Sequence, residues 1–401
     1  MRSSGSPFPT SRGFVHSQAA DERAIVKGLA QHDFLVAPGV VLLNHASYGI
    51  ASRRVLEAAE AMRYEIESDP TWFLGADLFE RLRWPTELFA ETVGLDPATM
   101  TLCANATTGA AAVISGASLS ETTTVVVLET EYSSIVRGWE RACERSGATL
   151  VRIPVPLPFD GPDQLIDRLE ATVRGDIAYL QMSLVASSSA VHFPVAEMAA
   201  WAHGRGGRLV LDAAHGPGHV PLDPVGWGVD VAFGTAHKWF PTLRPVGFLW
   251  LAEELVETVR PAEVSLTYDS ADLVERFSWP GTFDPVPRLS LPVAIEQWRQ
   301  WDRQGSWAEC TSLANEAVEL LSSVGARPTA SRHYQPPRLR AFVLDQWTVA
   351  EVRELMNQAG IRAWVGPGAD GECILRIATH VYNDLTDIEA VVAQLKSALR
   401  R

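Results

Sequence analysis

The chain has 401 residues, 47% of them hydrophobic and 20% charged, which is the composition of a folded protein with room for two or three domains and excludes extensive disorder. Its formal net charge of -14 argues against nucleic acid or an anionic membrane as partner, because phosphate binding needs clustered Lys and Arg. No run of about 18 uncharged apolar residues occurs. The four cysteines, Cys103, Cys143, Cys310 and Cys373, are scattered without a C-x-x-C pair. Neither a disulfide framework nor a zinc site is therefore expected, and a reducing cytoplasm and a small-molecule substrate fit best.

In chain order, residues 1–30 are rich in Ser, Gly and Pro, carry no apolar signal segment, and read as an N-terminal arm. The stretch CANATTGAAAVISG starts a helix with Asn105, Thr107 and Thr108 at its positive end. Short apolar runs at 122–129, 148–153, 176–182, 208–213, 230–234 and 246–251 read as buried strands, with helical patterns at 134–146, 161–173 and 195–206 between several of them. Such alternation predicts an α/β domain over 31–304 with a mostly parallel sheet covered on both faces. From 305 to 401 the pattern changes: ANEAVELLSSV is helical, LRAFVL and CILRIAT are strand-like, and DIEAVVAQLKSALR is a closing helix, which predicts a smaller α+β domain.

Ligands of open α/β sheets sit at the carboxyl ends of the strands, and here those positions are polar. Tyr132 follows one strand, Asp212 and His215 a second, and Thr235, His237 and Lys238 a third. A helix start with threonines can hold a phosphate without a basic patch. A buried aspartate can keep a proton on a pyridine nitrogen, a lysine can form a Schiff base with an aldehyde, and a tyrosine can stack on a flat ring. The ligand that combines phosphate, pyridine and aldehyde is pyridoxal 5'-phosphate. Several of these residues also have structural readings: Asp212, Thr107 and Thr108 as caps, Tyr132 and His45 as core, His215 and Arg376 as structural partners.

LVLDAAHGPGHVPLD followed by VDVAFGTAHKWF resembles the class V aminotransferase family of fold-type I pyridoxal-phosphate enzymes, in the branch of isopenicillin N epimerase-like proteins and cysteine carbon-sulfur lyases. Similar support comes from LLNHASYG (42–49), NATTG (105–109), WPGTFDP (279–285) and LRIATHVYND (375–384), so that the likeness runs from about residue 40 to 400. The resemblance implies that Lys238 carries the cofactor and that Asp212 pairs with its pyridinium nitrogen. It places His215 near the phenolic oxygen, Thr107, Thr108, Thr235 and His237 around the phosphate, and Tyr132 against the ring as a catalytic residue. Thr282 would reach the cofactor of a neighbouring subunit, which implies a homodimer. Arg376 would bind the substrate's α-carboxylate, with Asn44 and His45 as further substrate contacts. Ala190 departs from the pattern by standing where relatives carry glycine.

The implied reaction occurs at the α-carbon of an amino acid. Cys373 lies three residues before Arg376 on one predicted strand, which argues against a persulfide relay. The expected activity is β-elimination from an S-substituted cysteine, with NHASYG (44–49), DPTWFLG (69–75) and Trp364 forming a pocket for the sulfur substituent. The alternatives are epimerisation, with Tyr132 or His45 as second proton donor, and decarboxylation or oxidative deamination.

Overall fold

Every residue from Val125 to Leu128 is fully buried, and their side chains alternate between two separate cores: Val126 and Leu128 in one, Val125 and Val127 in the other. This is what a strand covered on both faces requires. The computed structural model describes residues 31–75 and 77–399, so the arm expected at 1–30 lies outside the described residues. The strand belongs to a seven-stranded sheet made of β1 (Met100–Cys103), β2 (Thr124–Leu128), β3 (Thr149–Ile153), β4 (Tyr179–Ser183), β5 (Arg208–Asp212), β6 (Val231–Thr235) and β7 (Gly247–Leu251). The order is β1-β7-β6-β5-β4-β2-β3, and every pairing is parallel except the two made by β7.

The sheet order reverses between β2 and β4, and a crevice forms outside the carboxyl ends of strands at such a switch point. Register then brings the functional residues level. Ser183 pairs with Asp212, and Asp212 with Phe233, so Asp212 is flanked by the ends of β4 and β6.

A second, four-stranded antiparallel sheet contains β8 (Arg327–Pro328), β9 (Leu339–Val343), β10 (Trp364–Pro367) and β11 (Cys373–Ala378), in the order β10-β11-β9-β8. Leu375 and Ile377 of β11 pack with Leu313, Met356 and Ile388, drawn from three helices, whereas Ile374 and Ala378 join the core of the large sheet. By strand parity Arg376 shares the face of Ile374 and Ala378. It is thereby aimed at the large sheet. Val41–Leu42 pairs in parallel with Ile361–Arg362, and Leu43 lies in the small sheet's core, which anchors the segment leading to Asn44.

Candidate active site

A cavity of about 600 Å³ opens at the carboxyl ends of β4 to β6. Lys238 lies three residues beyond β6, with Nζ 3.4 Å from His215 Nε2. Burial lowers its pKa to about 8; the charge of Asp212 opposes the shift and that of Arg376 adds to it. Asp212 closes β5, is 5% exposed, and accepts from Ala214 N at 2.8 Å. Burial raises its pKa, against the ammonium of Lys238.

The cavity wall also contains Thr107 and Thr108, in the first turn of helix Ala106–Ser115. Asn105 caps that helix, its Oδ1 accepting from Thr108 N at 3.0 Å, which leaves the positive end of the helix facing the cavity. Thr235 donates to Ala214 O at 3.1 Å, and His237 is held by the backbone of Val246. Burial lowers His237 to about 4, so it is neutral at physiological pH. Tyr132 lines the same cavity, half exposed, at the start of helix Ser133–Ser146.

Arg376 enters from β11. Its Nη2 donates to Asn44 Oδ1 at 3.0 Å and to Ser47 Oγ at 2.8 Å, its Nη1 donates to Ser187 O, and the guanidinium lies 5.4 Å from the ring centroid of Trp364. None of these partners is a carboxylate. Burial lowers the guanidinium to about 10, so the fold holds a fixed cation at the cavity without an internal counter-charge. Such a cation can take an anionic ligand as its partner.

Several sequence expectations are corrected. His45 does not line the cavity: it is 1% exposed, bonded to Tyr382 Oη at 2.8 Å and stacked on His380 at 3.8 Å. Asn44 is engaged with Arg376 and Ser47 and also stands outside the lining; its place is behind the arginine. Of the aromatic segment 69–75, Phe73 is buried in a separate small cluster and Trp72 stacks under Arg81, neither at the cavity. Tyr48 and Trp364 do line it. Thr282 is exposed and outside this chain's cavity. Arg244, outside the lining, donates to Gly49 O at 2.8 Å and Tyr48 O at 3.3 Å and so helps to hold segment 44–49.

Two glycine-type positions explain themselves. Gly49 has φ +64, and a Cβ there would lie 1.6 Å from His237 O, so only glycine lets segment 44–49 cross the loop that carries Lys238. Ala190 adopts φ +53, so the backbone is left-handed there although the residue is not glycine.

The sequence reading missed Glu131 and the linking role of Trp239. Glu131 is buried between β2 and Tyr132, accepting from Ser183 N at 2.7 Å and Gln181 Nε2 at 3.2 Å. Burial, and then the charge of Asp212, push its pKa up to about 8. An acid at the end of an apolar strand was the available signal. All four cysteines are buried and free, and burial raises each thiol, Cys103 to about 12 and Cys310 and Cys373 to about 11. None is a thiolate nucleophile. No cluster of metal-binding side chains occurs among the described residues.

The donor set fits pyridoxal phosphate. A lysine able to shed its proton near pH 8, a buried carboxylate, a helix start with two threonines and a cation free of carboxylates surround one cavity of suitable size.

Comparison with known proteins agrees. The family described as Aminotransferase class-V matches residues 74–391. The chain is 28% identical over 388 residues to the isopenicillin N epimerase of Streptomyces clavuligerus, covering 91% of this chain and 96% of that one. It is 28% identical to a putative L-cysteine desulfhydrase of Oryza sativa subsp. japonica, over 64% of this chain and 57% of that protein. The fold superimposes with a TM-score of 0.75, at 21% identity, on the cystine C-S lyase C-DES solved with cysteine persulfide, covering 89% of this chain and 97% of that one.

Proposed function

The chain belongs to the class V aminotransferase family, and within it we propose a pyridoxal-phosphate-dependent carbon-sulfur lyase that expels a thiol from the β-carbon of an S-substituted cysteine. Bound pyridoxal phosphate supplies a sink for negative charge at the substrate's α-carbon. Lys238 would hold it through Nζ and Asp212 would keep the proton on its ring nitrogen. Thr107, Thr108, Thr235 and His237 would hold its phosphate at the start of helix Ala106–Ser115, with Tyr132 over the ring and His215 beside the phenolic oxygen. Arg376 would fix the substrate's α-carboxylate, and Tyr48 and Trp364 would face the sulfur substituent. Lys238 Nζ, freed by the incoming amine and neutral at mildly alkaline pH, would take the α-proton. The thiolate then leaves Cβ with the electron pair of the C–S bond, and hydrolysis yields pyruvate and ammonia.

The observation that carries this reading is the placement of the proton-transferring groups. Elimination needs one base, and Lys238 is at the cavity. Epimerisation needs a second donor on the opposite face, and His45, one of the two candidates, is turned into the core. The epimerase reading keeps Tyr132 as its donor and draws on the near full-length similarity to an isopenicillin N epimerase. An S-conjugate deuterated at the α-carbon separates the two. Thiol, pyruvate and ammonia establish elimination, whereas intact conjugate of inverted configuration with the label lost establishes epimerisation. Loss of carbon dioxide with the thioether kept rejects both.

We also propose a cytoplasmic homodimer. Tyr64, Trp84, Val264 and Leu266 are exposed apolar side chains, which a partner would cover, and Thr282 stands free to reach a second subunit's cofactor phosphate. Among the described residues no helix is long and apolar enough to cross a membrane. Thr282→Ala should weaken cofactor retention, and a fully active monomer on dilution would count against the assembly.

A further inference from the structure

A second cavity, of about 770 Å³, lies between segment 217–222 and the start of helix Ser306–Ser322 and shares no lining residue with the candidate active site. Its wall contains Arg338, which is 2% exposed. Arg338 Nη2 donates to Gly218 O, but Nη1 has no partner, and neither has the buried Nε1 of Trp307 in the same wall. Arg340 lies two residues further on, in β9; its Nη2 donates at 2.7 Å to Asn315 Oδ1, a cavity residue, and its Nε is also unpartnered. Among the described residues neither guanidinium has a carboxylate within ion-pair distance. Burial lowers both to about 10.

A buried cation without a counter-ion is costly, and this fold keeps two beside one cavity. Arg338 is eased in part by lying over the rings of Trp239 and Trp307, at 5.0 Å and 4.2 Å from their centroids. That contact leaves its Nη1 donor unfilled. The rest of the wall supplies the flat apolar surfaces of Phe240 and Trp298.

We propose that this cavity is a second ligand site, which takes a small organic carboxylate with a flat apolar body, its carboxylate beside the Arg338 guanidinium and its ring against Trp298. His219, in the same wall, stacks on Trp239 at 3.8 Å, and Trp239 bonds to His215 beside Lys238, so an occupant sits a short chain of side chains from the reactive amine. The site does not depend on which α-bond the enzyme breaks.

Calorimetry on the cofactor-loaded enzyme with naphthylacetate, and with naphthylacetamide as the uncharged control, tests it. The acid should bind once per subunit and the amide roughly tenfold or more weakly. Ala308→Trp, which fills the cavity from an exposed rim position, and Arg338→Met should each weaken the acid by a similar factor, while Arg376→Gln leaves it unchanged. Should Arg338→Met fail to fold, Ala308→Trp and the acid-amide pair still decide. Equal binding of the amide, absence of binding, or loss in Arg376→Gln with Ala308→Trp unaffected would overturn the proposal.

Discussion

The indole Nε1 of Trp239 donates to His215 Nδ1 at 3.3 Å, while Nε2 of the same imidazole lies 3.4 Å from Lys238 Nζ. An indole can only donate, so Nδ1 must accept. Burial, with the nearby charges of Lys238 and Arg376, keeps His215 well below its usual pKa, so the ring is neutral and its one proton sits on Nε2. That N–H can be accepted by Lys238 only as a free amine. Trp239 therefore opposes protonation of the lysine that must act as nucleophile and base.

The pH dependence of cofactor capture follows. The rate at which cofactor-free protein takes up pyridoxal phosphate should rise with pH through about 8, because only the neutral amine attacks. Asp212→Asn removes a charge that raises the Lys238 pKa, so its midpoint should fall. Trp239→Phe frees Nδ1 to carry the proton and Nε2 to accept from an ammonium, so its midpoint should rise. Stopped-flow absorbance across pH 6 to 10 (a roughly two-unit margin on each side of the Lys238 value) measures all three. Equal midpoints would remove the proposed role of Trp239.

Borohydride treatment of the holoenzyme, followed by peptide mass spectrometry, should find the cofactor on Lys238. Lys238→Ala should have no turnover. Asp212→Asn should keep cofactor yet lose activity by orders of magnitude, since a ring nitrogen without its proton is a weak electron sink. A reduced adduct on Lys27 or Lys396 would displace the assignment.

Arg376→Gln should raise KM for amino-acid substrates far more than it lowers cofactor affinity. Asn44→Ala should have a smaller effect of the same kind, because Asn44 holds Nη2 in place. A hydrogen bond to a charged group is worth about 1.5–3 kcal/mol, so a KM increase of roughly tenfold to a hundredfold is expected. An unchanged KM in Asn44→Ala would make that contact idle.

Much of the large sheet was legible because strands buried on both faces show as unbroken apolar runs. Two kinds of feature were not. β1 is a four-residue strand, MTLC, too short to show a period, and β10 contains Gly366 and Pro367, which read as a turn. At the site, the strand ends exposed Asp212, Lys238 and Thr235 because position alone places them. Asn44 and His45 are neighbours in sequence but diverge, one to Arg376 and the other to Tyr382 and His380, and a four-residue helix has no periodicity from which to assign faces. Trp239 is fully buried, and its link to His215 comes from packing across 24 residues of chain.

Glu131 gives the last prediction, on stability. Burial and the charge of Asp212 raise its carboxyl from 4.5 to about 8, although the hydrogen bonds from Ser183 and Gln181 favour the ionised form. Burial wins. The folded state therefore binds a proton that the unfolded chain has lost, so the stabilisation from this group is full below about 4.5, declines as pH rises, and is gone above about 8. Glu131→Gln cannot titrate. It also sets an amide NH₂ against Gln181 Nε2, whose own amide oxygen is committed to Trp139 Nε1 at 3.2 Å, and this adds a penalty that does not vary with pH. The wild-type denaturant midpoint should therefore fall relative to that of Glu131→Gln as pH rises from about 4.5 to 8, on top of a constant offset. A difference that stays constant across that range would mean that Glu131 is ionised in the folded protein, with its charge held by the Ser183 and Gln181 donors.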